Sequence, residues 1–505
     1  MNAAFQRKVA YLALIAALLV PLAMVSRPAT IAVGDDPGSS GGKLAQLRES
    51  LKLGQAQMGE IDPTSSAARY LSFGMHGVAI CILNEQAVEL QRQEDWISLS
   101  AVLNQQTYLQ PYYVKVWTHQ AWNVSYNISS QWDDFRDKYY WVVRGFKLLS
   151  QGMGFNEQEP RFPYELGWAV GHKIGQADEW REYRTLFARD DELHREPWAA
   201  WVDRRDSWLF GKRYLETAAG MVDQGAPLRS MGLEMFHLQV PIAQVKFAET
   251  IEREGTFGDK ARNAWSTGLD DFRAFGRREF PSEEGFFFRI DDLPADRKRL
   301  DEMVARLETQ LAPGARTAIV AEKRARLPAD WLKALDVPPD RRSEQERRMA
   351  QDAEYNTFVS DAETAERAPD DRRDEARRTA RDLKHLRARV RAEKSARETF
   401  NFDYWIDRSQ MEASDEALAA RQLYFEAVRT ADDDPWTARK AFDDAFAKWR
   451  IILDRFPAMK SDQTSYDVND YILTYRRVLK QLDAPFDPQK FILRDLLRRA
   501  DGTTF

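Results

Sequence analysis

The residues that offer chemistry first sit within little more than one helical turn: Trp122, Asn123, Tyr126 and Asn127. Two carboxamides four residues apart share one face of a helix. A carboxamide donates and accepts as a peptide bond does, so such a pair can hold a peptide backbone or a carboxylate. The flanking rings would exclude water, which suits the inner groove of a helical array. A plainer reading stands beside it: buried amides usually find protein partners, so both could bond a neighbouring helix. The two Asn-x-Ser sequons fall inside this helix, where glycosylation is not expected.

A second pair is Glu165 and His172, seven residues apart and therefore on one helix face beside Trp168. Acid–base catalysis needs such groups in a pocket that shifts their protonation. With no nucleophile alongside them, a structural role is the expectation. His194–Arg195–Glu196 lacks the spacing of a zinc helix, which needs two histidines on one face. His76, His119, His237 and His385 are isolated. No metal and no cofactor is expected. The single cysteine, Cys81, excludes an intramolecular disulfide and multi-cysteine metal sites. Its place in the apolar run Val78–Leu83 predicts a buried core thiol. There is no glycine loop ending in Lys-Ser/Thr to cradle phosphate. The Glu-Ser and downstream Gly-Leu-Met-Gln phrase of lytic transglycosylases is missing as well.

The elements that must position these residues read as helices. Phe135, Tyr139, Val142, Val143, Phe146 and Leu149 fall at three- and four-residue spacing, as do Tyr113, Val116, Trp117, Ala121, Val124 and Ile128. The pattern predicts hairpins: 78–91 with 96–109, then 112–129 with 133–151, then a third opening at 162–175. Near the C-terminus Ala420, Tyr424 and Ala427 predict one helix. Ala438, Phe442, Ala445, Trp449, Ile452 and Phe456 predict the next, with 466–482 as a cap. Small residues a turn away from large rings let two helices interlock, as in tetratricopeptide-type repeats.

Between these halves, residues 291 to about 398 are dense in charge and poor in rings. The run 370–398 predicts a long helix with opposite charges a turn apart. It could lean on a neighbour, bind an anionic polymer or lipid, or self-associate as a coiled-coil arm. Only 283–292 admits a short strand.

At the N-terminus, Arg7 and Lys8 precede the apolar stretch Val9–Val25. Its length and flanking charge predict an uncleaved anchor with the rest of the chain extracytoplasmic. A cleaved signal and a buried helix are the alternatives. Gly34–Gly42 reads as a flexible tether. The expected organisation is an anchor and linker over 1–42, a helical-repeat domain over 43–290, a charged helical spacer over 291–400 and a second repeat domain over 401–505. Overall composition fits a folded chain of several domains: 44% hydrophobic, 30% charged, 15 tryptophans. A net charge of −6 gives no case for nucleic-acid binding.

Several phrases together resemble exported, membrane-anchored helical-repeat proteins of planctomycete-type bacteria. They are Gly74–Gln91, Leu109–Ser129 with its AWN and YN pairing, Tyr139–Gly152, Glu165–Gly175, Trp208–Asp223 and Phe257–Pro281. The resemblance implies an all-α tetratricopeptide-like solenoid at the inner membrane and carries no activity with it. The functional expectation is a non-enzymatic scaffold that binds a protein partner. The rival is a cell-envelope enzyme acting on peptidoglycan or another polysaccharide, suggested by the many indoles, which stack on sugars.

Overall fold

A computed structural model describes residues 76–497 apart from 230 and 462, with isolated positions before residue 48. The apolar stretch Val9–Val25 and the tether Gly34–Gly42 lie outside the continuously described residues. No helix among the described residues is long and apolar enough to cross a membrane. The chain is all-helical apart from one two-residue strand pair among the described residues. It divides into two compact units, one of residues 1–271 with 409–505, the other of residues 272–408. The first gathers residues from both ends of the sequence, and the second covers the charged middle.

The first unit begins with α1 (His76–Arg92) and α2 (Trp96–Leu109), capped by Asp95, which accepts from the Ser98 amide at 3.1 Å. Helix α1 buries Ala79, Ile80, Leu83 and Ala87. Cys81 falls on the other side and is exposed, which corrects the expectation of a core thiol. The run Val78–Leu83 is apolar all round, but among the described residues the buried stripe is Ala79, Ile80, Leu83 and Ala87, and Cys81 lies off it.

Next come α3 (Val114–Trp122), a π-helical segment (Asn123–Ile128) and a 3-10 turn (Ser129–Gln131). The expected single helix over 112–129 is thus divided. The Tyr112 end is lost to a turn after Pro111, and the Ile128 end widens into π geometry. Helix α4 (Phe135–Phe155) packs back on this segment. Gly145 makes that possible, since a Cβ there would sit 2.8 Å from the Ala121 carbonyl oxygen.

Helix α5 (Arg161–Gln176) crosses α8 (Ser207–Asp223), with α6 (Trp180–Arg189) and α7 (Asp191–Arg195) between them in sequence. A Cβ on Gly167 would lie 2.6 Å from the Gly211 carbonyl oxygen, and a Cβ on Gly211 2.4 Å from that of Gly167. Further along α5, Gly171 and Gly175 leave the slot that the Trp208 indole fills, 2.7 and 2.3 Å from where their Cβ atoms would be. Gly167, Gly171 and Gly175 recur every four residues, so they form one stripe. The tightest pairing in this half is therefore between helices that are not consecutive.

Helices α9 (Leu233–Arg253) and α10 (Asp259–Gly276) follow. From the C-terminal end the unit receives α18 (Asp415–Thr430), α19 (Pro435–Arg455) and α20 (Gln463–Gln481), the numbering leaving room for the helices of the middle. Ala420, Tyr424, Ala427, Ala438, Phe442, Ala445 and Trp449 are all fully buried, as the spacing predicts. Helix α19 starts at Pro435 behind the Asp434 cap and ends before Pro457.

Early in the second unit β1 (Phe280–Pro281) pairs antiparallel with β2 (Phe287–Phe288); β2 lies inside the region 283–292 that admitted a strand, and β1 lies before it. Then come α11 (Leu293–Arg306), α12 (Ala315–Arg324), α13 (Ala329–Asp336), α14 (Glu344–Thr357), α15 (Asp361–Glu366), α16 (Arg373–Thr399) and α17 (Phe402–Glu412), whose residues from Ser409 on belong to the first unit. One of its core clusters is Leu307, Leu311, Ala312, Ala315, Ala365, Ala368, Ala376, Ala380 and Leu383, and Phe272, Phe275, Phe280, Ile290 and Phe402 are buried as well. The long charged helix α16 leans on α11 through Ala376, Ala380 and Leu383 and spends several of its charges locally. Arg387 bonds Asp361 at 2.9 Å, and Arg377 bonds Glu366 at 2.6 Å.

Substituting Gly211→Leu is expected to cost about 3 kcal/mol or more, because the added carbons meet backbone that cannot move aside. Gly220→Ala on the same helix has open space around its new carbon and is expected to gain about 0.5–1 kcal/mol. Urea denaturation of both variants checks this, and equal behaviour would show that the crossing is not tight.

Candidate functional site

The glycine stripe of α5 faces α8, so the larger residues of α5 are displaced to its other flank. That flank carries Glu165, Trp168, His172 and Lys173. Across from it lie the rings of α3 and the π segment, and the two sets meet. The Tyr126 hydroxyl is 3.4 Å from His172 Nδ1. The His172 ring stacks on Trp168 at 4.6 Å, with 11° between the planes. Tyr126 stacks on Trp122 at 6.0 Å, and Trp122 on His119 at 6.4 Å. The Lys173 ammonium sits 4.4 Å over the Tyr126 ring.

The result is a continuous ring surface with two open indoles, Trp122 at 45% and Trp168 at 37% exposure. Of the two candidate groups that the sequence presents separately, Trp122 and Tyr126 from the first and His172 from the second share this surface with Trp168. The joining element is the Tyr126–His172 contact, for which sequence spacing offers no signal.

The electrostatics are set by partial burial. Burial pushes His172 below the ordinary imidazole range, reinforced by Lys173 and Lys246, so its ring is neutral at pH 7. Burial does the same to His119. Tyr126 is pushed up to about 12 by burial and then by the Glu165 charge. Burial lowers Lys173, while Glu179 opposes that shift. Glu179 itself is engaged by Lys138 at 2.5 Å, and Glu165 by Arg161 at 3.1 Å. Among the described residues no carboxylate comes within ion-pair distance of Lys173. The surface therefore offers rings, neutral imidazoles and one ammonium without a salt bridge.

The amides play a different part from the groove expected of them. Asn123 is fully buried, and the Asn127 Nδ2 donates to its Oδ1 at 3.0 Å. Asn123 faces inward because the π segment packs against α2 and α4. It belongs to an interior run of amides that includes Gln120, a residue the sequence reading passed over. Gln120 Nε2 donates to the Ser100 carbonyl and to Asn104 Oδ1, each at 3.0 Å. The signal was present, since Gln120 lies three residues before Asn123 on the same face. Glu165 and His172 likewise hold different partners, Arg161 and Tyr126, and do not form an acid–base couple.

Each unit also holds buried carboxyls. Glu252 and Glu412 are 8% and 0% exposed, and Asp296 and Glu393 are 8% and 0% exposed. Glu393 is pushed up to about 8 by burial and by Asp296. Arg389 lies 3.1 Å from Asp296 and 3.4 Å from Glu393, so this pair is closed by its own guanidinium. A glycosidic acid must reach the scissile oxygen, and these carboxyls are enclosed by protein. Among the described residues no three histidine, cysteine, aspartate or glutamate side chains converge as a metal site requires.

The chain matches no protein-family model, no curated protein and no solved structure. The ring surface is thus assessed on its own geometry.

Tyr126→Phe tests how that surface is joined. In the tautomer with Nδ1 unprotonated the phenol donates to it, and loss of that bond is then expected to raise the His172 midpoint and to cost about 1 kcal/mol. Because His172 is depressed in the folded chain, its contribution to stability is present above the free-imidazole midpoint and is lost as pH falls below it. An NMR titration of His172 in both proteins checks this. An unchanged midpoint would mean that the hydroxyl does not serve the imidazole.

Proposed function

We propose that the chain is a non-enzymatic helical scaffold that docks a protein segment on the ring surface of α3, the π segment and α5. The observation that carries this reading is the pair of open indoles joined through Tyr126 and His172 beside the Lys173 ammonium. Exposed rings grouped around a charge are what a binding surface retains, since a chain that had no use for them would bury or replace them. The segment that fits lays an apolar side chain on the indoles and brings a carboxylate to Lys173, where no salt bridge has to be broken first. Interruption of α3 by π geometry suits this, because such widened turns recur where a helix face is used for binding.

The wider setting belongs to the same proposal. Helices paired in sequence, α1 with α2 and α18 with α19, support a tetratricopeptide-like solenoid at both ends of the first unit. The apolar stretch Val9–Val25 supports anchorage at the inner membrane with the helical units outside the cytoplasm. On this reading the protein is a relative of the membrane-anchored helical-repeat proteins of planctomycete-type bacteria. The charged unit then positions the first unit at its work, or joins two copies through 370–398.

Crosslinking in intact membranes, followed by capture of the tagged full chain, tests the reading. Wild type is expected to retain a specific protein, and Trp122→Ala/Trp168→Ala is expected to lose it by tenfold or more while keeping its helical circular dichroism. Retention by the double variant would place the partner elsewhere. Co-purifying glycan lost from the same variant would favour an envelope enzyme or lectin-like role, since indoles also stack on sugar rings.

A further inference from the structure

We propose that the exposed row Arg378, Arg381 and Lys384 on α16 is a docking face for the phosphate headgroups of an anionic bilayer. The proposal rests on the anchored reading of Val9–Val25 and adds which face of the 272–408 unit meets the lipid.

Helix α16 has two unlike sides. Toward its own unit it buries Ala376, Thr379, Ala380, Leu383 and Leu386. Arginines beside that stripe are engaged: Arg377 holds Glu366 at 2.6 Å, Arg387 holds Asp361 at 2.9 Å and Arg389 holds Asp296 at 3.1 Å. On the outward side Arg378, Arg381, Lys384 and His385 are exposed. Among the described residues no carboxylate lies within ion-pair distance of Arg378, Arg381 or Lys384. Steps of three and four residues keep these cations on neighbouring turns of one side. Arg391, two turns beyond Lys384, continues the row, with Glu284 at 3.7 Å. From 378 to 391 the row runs about 20 Å. Asp382 is the one exposed acid within that stretch, and it leaves the row net positive.

What the row lacks narrows its occupant. Between Arg377 and Arg391 no apolar or aromatic side chain is exposed. A protein partner is held mainly by rings and aliphatic groups that the contact buries. A coiled-coil twin needs an apolar seam on the outward side, and α16 has turned its apolar residues toward its own unit. A row of bare cations recognises charge alone. Guanidinium forks and an ammonium suit phosphate oxygens. Lipid headgroups move laterally, so they can gather under a straight row with no shape complementarity. An anchor in the same chain keeps that surface at high local concentration, so a weak electrostatic contact suffices. Each basic residue held near an anionic bilayer is worth about a fivefold gain in partitioning, so three give roughly a hundredfold. Salt screens the attraction, because the charges are exposed.

Lysine acetylation of the full chain, read by mass spectrometry, tests the docking face. The chain is reconstituted with vesicles of phosphatidylcholine, alone or mixed with phosphatidylglycerol. In the mixed vesicles Lys384 is expected to react at least tenfold more slowly than in the neutral ones, and high salt is expected to abolish the difference. Lys333, exposed on α13 of the same unit, is expected to react alike in both. Arg378→Gln/Arg381→Gln is expected to lose the protection of Lys384 and to keep its helical circular dichroism. Equal reaction of Lys384 in the two lipids, or protection that survives in the variant, would overturn the proposal. Protection that arises without vesicles and grows with protein concentration would overturn it as well and assign the row to a second copy. Flotation reports on the anchor separately. A chain left behind by neutral vesicles but carried by mixed ones, with Lys384 protected, would end the anchored reading and keep the docking face.

Discussion

The crossing of α5 over α8 at Gly167 and Gly211 is the constraint on which the rest of the first unit depends. Two helix backbones touch there without side chains between them, so neither can rotate without a carbon striking a carbonyl oxygen. Trp208 then locks the next two turns by filling the space above Gly171 and Gly175. Rotation of α5 is fixed by that interlock, and with it the direction in which Trp168, His172 and Lys173 project. A helix that carries nothing on one face and rings on the other is how this chain presents chemistry from a rigid support.

The other side of the ring surface is held by a different device. Gly145 on α4 admits the backbone of α3, and the π segment adds the extra width that stacks Tyr126 on Trp122 while Asn123 turns inward. Two single amide–amide hydrogen bonds flank the wider turn, Gln120 to Asn104 and Asn127 to Asn123, while Gln120 Oε1 and Asn123 Nδ2 are buried without a hydrogen-bond partner among the described residues. Binding residues and core residues thus alternate along a few positions of one segment. A substitution at Asn123 or Gln120 would therefore disturb packing before it disturbed binding.

Charge is used in two ways. In the 272–408 unit it substitutes for apolar mass. An alanine-rich cluster around Ala376 and Ala380, one of several in that unit, is closed over by arginine–carboxylate pairs, each worth little when exposed but numerous. In the first unit the same residue types are also buried, as where Arg421 holds the fully buried Glu412. Pairs such as Arg306 with Glu375 join residues far apart in sequence and are not visible as a local motif.

Helical class, the C-terminal interlock of alanines with Tyr424, Phe442 and Trp449, the exposed charges of α16 and the brief strand near 287 were all legible in the sequence. Periodicity reports local geometry, and local geometry is repeated every turn. Cys81 shows the limit of that signal: an apolar run marks a helix but not which stripe of it meets a neighbour. The glycine spacing at 167, 171 and 175 could have been read as a close-packing stripe, and its partner Gly211 could not, because the crossing joins helices separated by two others. Trp122, Tyr126, Trp168 and His172 could be named as chemically able residues, yet nothing in their spacing brings position 126 to position 172. By itself the sequence determined which residues have chemistry to offer and that helices would carry them. Only the tertiary structure decided which of them share a surface, because that depends on where two backbones can touch, and contact between distant turns is set by packing rather than by period.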